Sequence, residues 1–332
     1  MTKQYTTEDE IRDVSHGKPH VVILGSGASK AACPNGDLNG KILPTMDDLI
    51  SRTGLEELLE KNHVNFKNKN FEGVFSEIYD IDPSSDLLNL IEEKVFNYFE
   101  LLELPLQPTI YDHLALSLRK KDLIATFNWD PLLFLACIRN HRYADLPHIV
   151  YLHGNTAIGY CEECRMKGAK NGICIKCSKP YTDSKILFPI KNKNYNDSPL
   201  IKGEWDTLKL YLAEAYMLTI FGYGAPNTDI EAVELMKEGW GMPETRSLEE
   251  IEIIDIKDEE ELAETWKPFI HSHHYIVYKN FYSSWAAKHP RRTCETMWQQ
   301  LMMCQFLGDN NIPKELPFEE LWKWYKPLIE NE

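Results

Sequence analysis

The sequence predicts an α/β protein with a Rossmann-like, mostly parallel sheet, helices on both of its faces and an inserted four-cysteine zinc ribbon. Three observations support this prediction. Short apolar segments alternate with amphipathic ones, a glycine-rich turn follows the first apolar segment, and two Cys-x-x-Cys pairs interrupt the alternation. With 332 residues, 43% of them hydrophobic, the chain is long enough to bury one large core.

The predicted strands are short apolar runs bounded by turn residues, a pattern typical of buried parallel strands. They are His20–Gly25, Asp122–Phe127, His148–Leu152, Lys185–Ile190, Ala215–Gly222 and Ile251–Ile256. The predicted helices show apolar residues at helical spacing, and the longest has Ser84, Ser85 or Asp86 as its N-cap. They are Asp86–Leu104, Pro108–Arg119, Pro131 to about His141, Pro199–Leu212, a helix after Asn227, and Phe318–Glu330.

This pattern suggests a core over residues 1–257, within which residues 158–182 form the cysteine insertion. We expect residues 258–332 to be a helical, aromatic-rich extension that packs on the core or on a partner.

Composition limits the classes of partner. A formal net charge of -15 repels polyanions, so direct nucleic-acid binding is not expected, although Lys185–Lys193 could form a local basic patch. No apolar run is long enough to cross a membrane, and the polar, acidic N-terminus is unlike a secretory signal. These features predict a cytoplasmic protein that does not bind membranes.

The glycine-rich turn Gly25-Ser26-Gly27-Ala28 directly follows the first predicted strand. Small residues at this place let backbone amides approach a pyrophosphate, so the four residues are candidate cofactor contacts. The turn lacks the full G-x-G-x-x-G pattern, and a strand-end turn that needs glycine geometry is an equally good interpretation.

Asn128 and Asp130 follow the strand that ends in Thr-Phe, at the edge of an open sheet where ligands bind. An amide at this place can orient a water or a ribose hydroxyl. Asp130 precedes Pro131, so it is also a good N-cap for the following helix without any chemical role.

His153 ends the next predicted strand, and Gly154 leaves room for a ligand beside the ring. A near-neutral imidazole can take a proton from a ribose hydroxyl or a water, which makes His153 a candidate catalytic base. A structural histidine is the alternative. The His271, His273 and His274 group has no ligand-like spacing and is expected to lie on the surface or in packing contacts.

Cys161, Cys164, Cys174 and Cys177 form two thiolate pairs across a nine-residue loop. Four thiolates suit a closed, tetrahedral structural zinc site, with an iron–sulfur cluster as the alternative. The other four cysteines are scattered, so a disulfide framework is not expected.

A second glycine turn, with Gly222 and Gly224, follows the strand that ends at Phe221. Asp255 ends the next strand, where a carboxylate can accept hydrogen bonds from ribose hydroxyls. The alternative for both is a tight crossover turn with an acidic turn residue.

The order of these motifs resembles the sirtuin superfamily over roughly Val21 to Lys257. The resemblance implies a large Rossmann-like domain with a small zinc module, and NAD held in a cleft where its nicotinamide bond is cleaved. It also implies a set of contacts: Gly25, Gly27 and Ala28 at the phosphates, Asn128 and Asp130 near the ribose and carboxamide, His153 as the base, and Gly222, Gly224 and Asp255 along the adenosine half.

Two departures favour NAD hydrolysis over protein deacylation. Deacylating sirtuins usually have a Phe-Gly-Glu strand that pairs with the acyl-lysine peptide, whereas this chain has Leu187-Phe188-Pro189-Ile190, and proline removes one donor. The first cofactor loop has Met46 near the expected aromatic residue and an insertion around Cys33 to Gly40. In contrast, the segment Phe221 to Asp229 looks like that of bacterial sirtuin-like proteins that hydrolyse NAD in antiviral defence.

We therefore expect an NAD hydrolase that releases nicotinamide and ADP-ribose. The alternatives are an NAD-dependent protein-lysine deacylase and a non-catalytic NAD-sensing module that docks a partner through Trp322, Trp324 and Tyr325. Because unrestrained NAD loss would kill a cell, we also expect a homo-oligomer or a regulatory protein partner to gate the site.

Overall fold

The computed structural model describes residues 4–190, 195, 198–225, 229–241, 246, 250–267, 269, 275–308 and 310–332. Its strands are β1 Gln4–Tyr5, β2 His20–Leu24, β3 Leu123–Thr126, β4 His148–Tyr151, β5 Ile158–Cys161, β6 Met166–Ala169, β7 Thr182–Asp183, β8 Met217–Phe221, β9 Glu250–Ile254, β10 Tyr275–Tyr278 and β11 Phe306–Leu307.

The helices in these residues are α1 Thr7–Arg12, α2 Ser26–Ala32, α3 Leu49–Arg52, α4 Glu56–Lys61, α5 Phe71–Ile81, α6 Asp86–Glu100, α7 Ile110–Ser117, α8 Leu132–Asn140, α9 Pro199–Glu214, α10 Ile230–Trp240, α11 Glu259–Trp266, α12 Trp285–Lys288, α13 Thr293–Leu301 and α14 Phe318–Glu330. No helix among them is both long and apolar enough to pass through a bilayer.

The main sheet has six parallel strands in the order β10-β9-β8-β2-β3-β4. Numbered along the chain, this is the 3-2-1-4-5-6 order of doubly wound folds, and the direction of winding reverses between β2 and β8. The register aligns Leu24 with both Thr126 and Phe221, and Thr126 with Tyr151. The carboxyl ends of four strands therefore lie at one level, on both sides of the reversal point.

Alternate residues of the central strands enter two separate apolar layers. Val22 and Leu24 of β2 pack in the layer that contains α7 and α8, whereas Val21 and Ile23 pack in the layer that contains α9 and α10. Both faces of the sheet are thus covered by helices, which explains why the strands read as continuous apolar runs. The predicted fold class is confirmed.

Most predicted elements are present within a few residues of their predicted bounds. The long helix α6 begins at Asp86 with Ser85 as its cap, but it ends at Glu100. Helix α7 begins at Ile110 because Thr109 and Asp112 form a capping box. Asn227, Lys191–Lys193 and the His271–His274 group lie outside the described residues.

The predicted strand Lys185–Ile190 is wrong, because this segment forms no ladder in the structure. Its backbone makes isolated bonds, from Leu187 N–H to the His153 carbonyl and from Ile190 N–H to the Phe188 carbonyl. The Phe188 ring packs between Phe75 and Trp129. The apolar run reflects burial of an irregular segment, and periodicity alone cannot distinguish that from a strand.

The C-terminal segment is not only helical. Strand β10 pairs with β9 and forms the sixth strand of the main sheet, and β11 pairs with β1. Helix α14 buries Leu321, Tyr325 and Leu328, and Trp322 donates its indole N–H to the Asn140 side chain at 2.8 Å. The aromatic residues of α14 therefore pack on the core.

The two glycine turns contact each other directly at the reversal point. The Gly25 amide donates to the Phe221 carbonyl and the Gly27 amide to the Gly222 carbonyl, both at 3.0 Å. Gly222 has φ +62°, and a Cβ there would lie 2.4 Å from the Ala28 nitrogen. A Cβ at Gly25 would lie 2.5 Å from the Gly222 oxygen. Side chains at these positions would separate β2 from β8.

We expect Gly222→Ala to lower the free energy of unfolding by about 2–4 kcal/mol, because it combines a left-handed backbone with a backbone clash. Gly224→Ala is the matched control, since a Cβ there meets nothing within 4 Å, and it should cost less than about 0.5 kcal/mol. Urea titrations measure both values. Equal stability of the two variants would contradict the packing described.

Glu252 of β9 is a buried carboxyl group in the main sheet. It accepts hydrogen bonds from the Thr219 hydroxyl and the Trp285 backbone N–H, both at 2.7 Å. Burial nevertheless raises the pKa of Glu252 to about 7, and burial together with Glu252 raises that of Glu250 similarly. Because the folded state holds a proton that the unfolded chain releases, stability is lost as pH rises through about 7.

We expect Glu252→Gln to be more stable than the natural protein by about 1–3 kcal/mol at about pH 8, and to differ little at about pH 4. Glutamine keeps an acceptor for Trp285 N–H, and its amide can donate to the Thr219 oxygen when the Thr219 hydroxyl donates to His20 Nε2 instead, so the shape of the site is retained. Unfolding free energies measured across this pH range test the prediction. Parallel pH profiles for the two proteins would contradict it.

Candidate functional site

Polar side chains collect at the carboxyl edge of the main sheet, beyond the ends of β2, β3, β4 and β8. The relevant segments are residues 25–29, which are the N-cap and first turn of α2, and the loops 127–130, 152–156 and 222–225. Because winding reverses between β2 and β8, crossover connections leave this edge on opposite sides, and doubly wound sheets commonly bind ligands at such a point. Sequence-predicted residues from all four segments are brought to this edge.

Asn128 lies in a buried polar cluster on the α2–α7 side of the sheet and is 8% exposed. Its amide nitrogen donates to the Gly25 carbonyl at 2.8 Å and to the Ser29 hydroxyl at 2.9 Å, and lies 3.2 Å from the Tyr111 hydroxyl. The side chain thereby connects the end of β3 to the first turn after β2. Its orientation is fixed by the protein before any ligand binds.

Asp130 belongs to the same cluster. Its Oδ2 accepts the Ser29 hydroxyl at 2.6 Å, and its Oδ1 accepts the Leu132 backbone N–H at 3.1 Å. The latter bond reaches the first residue of α8, but the N-cap of that helix is Pro131, so the structural alternative, with Asp130 as N-cap and Pro131 as the first helical residue, is wrong by one position. Burial raises the pKa of Asp130 above its ordinary value, because few donors compensate for the lost water.

His153 lies in a second cluster, on the α9–α10 side of the sheet, and is 7% exposed. Its Nε2 is 3.1 Å from the Tyr195 hydroxyl and 3.8 Å from Oδ1 of Asp229. Asp229 also accepts the Tyr223 hydroxyl on its other oxygen, at 2.8 Å. The imidazole ring meets the Phe127 ring edge to face, with centroids 4.8 Å apart.

Asn128 and His153 share neither a hydrogen bond nor a ring contact among the described contacts. They end neighbouring strands, but Asn128 contacts Tyr111 of the α7–α8 layer, whereas His153 contacts Phe127 of the α9–α10 layer on the opposite face of the sheet. Asn155 joins the two loops: its amide donates to the Asn128 carbonyl at 3.2 Å and the Asp130 carbonyl at 2.6 Å. The loops are therefore braced against each other at the sheet edge.

The glycines occupy less open places than the motifs suggested. The amides of Gly25 and Gly27 donate to backbone carbonyls of the second glycine turn, so they are not free to bind a phosphate. Gly154 has φ +76°, and the Lys185 carbonyl fills the space where its Cβ would lie. The expectation that Gly154 leaves room for a ligand is therefore wrong. Gly224 does border open space.

The remaining predicted contacts lie nearby. Ser26 is the first residue of α2 and is half-buried, whereas Ala28 is fully buried against Gly222. Asp255 directly follows β9, and its Oδ1 accepts the Lys257 backbone N–H at 3.0 Å. This bond is the turn geometry that the structural alternative predicted for Asp255.

Sequence reasoning did not identify four polar residues of the two clusters as site residues. They are Ser29, Tyr111, Tyr195 and Asp229. Ser29 follows the glycine turn and Asp229 caps α10, so each is near a motif, but neither tyrosine has a local signal. Tyr195 is 42 residues from His153 in the chain, and only the fold brings them together.

The cysteine insertion forms a separate three-stranded sheet of β6, β5 and β7. Sulfurs of Cys161, Cys164, Cys174 and Cys177 all lie within 4.8 Å of one another. Tetrahedral zinc, with ligands about 2.3 Å away, separates sulfurs by about 3.8 Å, so the cluster fits this ion. Arg165 follows Cys164 and Ser178 follows Cys177, and both residues have positive φ. The backbone therefore turns in the same way after each Cys-x-x-Cys pair.

The four thiols perturb the ionisation of one another. The Cys177 backbone N–H lowers the pKa of Cys174 to about 7, whereas desolvation and the neighbouring thiols raise that of Cys164 to about 12. Four thiolates this close cannot coexist without a cation to neutralise them. When bound, zinc would stabilise the fold of the ribbon and would have no open position for catalysis.

A cavity of about 620 Å³ lies elsewhere, at the amino ends of the strands. It is lined by Ser15, His16, Gly17, Lys18, Pro19, Glu214 and Trp298. Pro19 directly precedes β2, so this cavity is at the edge opposite the polar clusters.

No protein-family model and no curated protein matches the sequence. Solved sirtuin structures are similar to it over most of its length. A Sir2 homologue–NAD complex has TM-score 0.39 and 14% identity, over 91% of this chain and 95% of that one. A Sir2 homologue variant with ADP-ribose has TM-score 0.38 and 13% identity, over 97% and 96%.

A third structure is Sir2 with the inhibitor EX-527, 2'-O-acetyl-ADP-ribose and a deacetylated p53 peptide. It has TM-score 0.38 and 14% identity, over 86% of this chain and 94% of that one. Similarity at this level concerns the course of the backbone. It assigns no ligand and no reaction to this chain.

We expect the purified protein to contain about one zinc ion per chain and Cys174→Ser to lose it, because three thiolates leave the site incomplete. Metal analysis by mass spectrometry measures the content. Cys304→Ser is the control, since Cys304 is exposed and outside the cluster. Equal zinc content in both variants, or iron and sulfide in place of zinc, would contradict the assignment.

Proposed function

We propose that this protein binds NAD at the carboxyl edge of its main sheet and hydrolyses the nicotinamide–ribose bond, giving nicotinamide and ADP-ribose. The observation that carries the proposal is the arrangement around the reversal point. Asn128 and His153 end adjacent strands on one side of it, and a glycine turn follows each strand that flanks it. Dinucleotides bind at this place in doubly wound sheets.

The polar clusters suit the cleavage chemistry. As the bond to nicotinamide breaks, its electron pair stays on the pyridine nitrogen, so nicotinamide leaves as a neutral base and positive charge develops on the ribose. A pre-oriented amide at Asn128 and the carboxyl group of Asp130 can stabilise and position that ribose. Water then attacks the ribose carbon, and His153 accepts the proton that the water releases.

The segment that follows the zinc ribbon favours hydrolysis over peptide deacylation. An extended acyl-lysine peptide needs an exposed row of backbone donors and acceptors to pair with. In residues 185–190, Leu187 N–H donates to the His153 carbonyl and Ile190 N–H to the Phe188 carbonyl. Pro189 has no N–H, and its carbonyl accepts the Ser76 hydroxyl. This segment therefore offers a poor ladder to a peptide.

The packing of α14 argues against a module that only docks partners through its terminal aromatic residues. Tyr325 is fully buried, and Trp322 is partly buried and bonded to Asn140. Because these side chains are buried or hydrogen-bonded to the core, they could contact a partner only if α14 detached from the core. The surface that the non-catalytic alternative requires is thus largely absent from these residues.

Hydrolysis of NAD would deplete the cell of this nucleotide, and this effect suggests a biological role for the enzyme. We propose that the enzyme acts in the cytoplasm in antiviral defence, where depletion of NAD would stop the growth of an infected cell. Such an activity must be restrained in a healthy cell. We therefore also propose that formation of a homo-oligomer, or binding of a regulatory protein, controls access to the site.

We expect Asn128→Ala and His153→Ala each to reduce nicotinamide release from NAD at least about a hundredfold, because each removes one stabilising group. Chromatography of products from NAD alone is the measurement. His148→Ala is the matched control: it removes a histidine from the exposed, opposite end of the same strand, and activity should persist. Thermal melting confirms that each variant folds.

The same assay with an acyl-lysine peptide separates the two reactions. Peptide-independent formation of ADP-ribose supports hydrolysis. Turnover that requires the peptide and yields an acyl-ADP-ribose would replace hydrolysis with deacylation. Full activity of both alanine variants would remove Asn128 and His153 from the mechanism.

A further inference from the structure

The Tyr111 hydroxyl of α7 lies in the buried polar cluster that contains Asn128. It is 2.6 Å from the Ser29 hydroxyl oxygen and 3.2 Å from the Asn128 amide nitrogen. Tyr111, Ser29, Asn128 and Asp130 are all more than nine-tenths buried. Each polar hydrogen in such a cluster therefore needs an acceptor within the cluster or in the backbone around it.

The Gly25 carbonyl decides which way the Asn128 amide faces. A backbone carbonyl can only accept, so the side-chain atom 2.8 Å from it must be the amide nitrogen. The same nitrogen lies 2.9 Å from Ser29 Oγ and donates to it. These two closer partners use both hydrogens of the amide. An amide nitrogen cannot accept, so the Tyr111 hydrogen cannot be directed to Asn128.

The remaining hydrogens all have acceptors when Asp130 is ionised. Its Oδ2 accepts the Ser29 hydrogen at 2.6 Å, and its Oδ1 accepts the Leu132 backbone N–H at 3.1 Å. The Tyr111 hydrogen then goes to Ser29 Oγ. Ser29 thus accepts two hydrogen bonds and donates one, which is the full capacity of a hydroxyl group.

A proton on Asp130 would break this order. On Oδ2 it would point to Ser29 and turn the Ser29 hydrogen toward Tyr111, which would leave the Tyr111 hydrogen with no acceptor among the described contacts. On Oδ1 the proton itself would have no acceptor among them. Leaving a buried donor unsatisfied is unfavourable because its water is not replaced. The hydrogen bonds of the cluster therefore favour the ionised carboxyl group.

Hydrogen bonds have to do this against burial. Burial raises the pKa of Asp130, and the bonds from Ser29 and from backbone N–H groups lower it. The titratable groups that feel the Asp130 charge are Tyr111 of α7, Cys33 after α2 and Tyr151 of β4. Burial and this charge raise the pKa of all three, that of Cys33 to about 12, so they are neutral near pH 7 and supply no cation.

We propose that Tyr111 is a positioning residue that donates to Ser29 Oγ, so that Ser29 turns its own hydrogen to Asp130 and Asp130 stays ionised. This role rests on the hydrolysis proposed above, in which positive charge develops on the ribose as nicotinamide leaves. An ionised Asp130 stabilises that charge, whereas a protonated one does not. Tyr111 is fully buried, so it acts through Ser29 and does not touch NAD.

The ionisation of Asp130 can be measured without turnover, by ¹³C NMR of the aspartate carboxyl groups in the whole protein. The Asp130 signal is the one lost in Asp130→Asn, and we expect it at a carboxylate shift at about pH 7. Tyr111→Phe keeps the ring but no longer polarises the Ser29 hydroxyl, and it should raise the titration midpoint by about half a pH unit. Ser29→Ala removes the donor itself and should raise the midpoint by at least about one unit.

Two comparisons make this test specific to the proposed chain of hydrogen bonds. Tyr325→Phe removes an equally buried hydroxyl from the same apolar layer, where it donates to the His113 carbonyl, and should leave the Asp130 midpoint unchanged. Because Tyr111 acts through Ser29, adding Tyr111→Phe to Ser29→Ala should raise the midpoint no further.

Three results would overturn the inference: a protonated Asp130 at about pH 7 in the natural protein, a midpoint that Tyr111→Phe does not move, and a midpoint that the double variant raises beyond that of Ser29→Ala. If Tyr111→Phe does not fold, Ser29→Ala decides by the same measurement, and an unmoved midpoint in that variant contradicts the proposal.

Kinetics of NAD hydrolysis give the second readout. An upward shift of half a pH unit should lower kcat of Tyr111→Phe about threefold at the acid end of the pH profile. The difference from the natural protein should disappear at higher pH, where Asp130 is ionised in both, and KM should stay within about twofold. A merely structural role would lower kcat equally at every pH, and that result, or an unchanged profile, would overturn the role in hydrolysis.

The two readouts separate the possible failures. If the natural protein does not hydrolyse NAD, the proposed function fails, while the NMR midpoints still decide whether Tyr111 keeps Asp130 ionised. If hydrolysis occurs and the midpoints of the natural protein and Tyr111→Phe coincide, the proposed function stands and the positioning role fails.

Discussion

The close approach of the two glycine turns is the constraint on which the rest of the site depends. Gly25, Gly27 and Gly222 let β2 and β8 meet backbone to backbone at the point where winding reverses. This contact fixes the first turn of α2, and Ser29 on that turn then reaches both Asn128 and Asp130. The glycines thus act mainly by permitting contact between two loops, and the polar cluster follows from the geometry that they allow.

Two polar networks result, one on each side of the sheet. Asn128 belongs to the network of Ser29, Tyr111 and Asp130, and His153 to the network of Tyr195 and Asp229. In the part of the chain that the structure describes, they meet at the carboxyl edge, where Asn155 braces their loops. A ligand that uses both must therefore lie across the strand ends, which is the position a dinucleotide takes at a reversal point.

Sequence reasoning succeeded where the signal is local. Alternating apolar segments placed the strands and most helices, Ser85 was one of the three N-cap candidates for the longest helix, and the cysteine spacing predicted a cluster that the structure forms. It failed where packing decides. Residues 185–190 read as a strand because burial of an irregular segment gives the same apolar run, and Tyr195 joins His153 only through the fold. The first glycine motif predicted a backbone turn that needs glycine. It did not indicate that the amides of Gly25 and Gly27 donate hydrogen bonds to the second glycine turn.

The most direct test of the account is a crystal structure of the His153→Ala variant with NAD bound. The account predicts one NAD molecule across the ends of β2, β3, β4 and β8, with the nicotinamide ribose between Asn128 and position 153 and the adenosine half toward Gly224. NAD found instead in the cavity beside His16 and Trp298, or with its ribose remote from Asn128, would contradict the central claim.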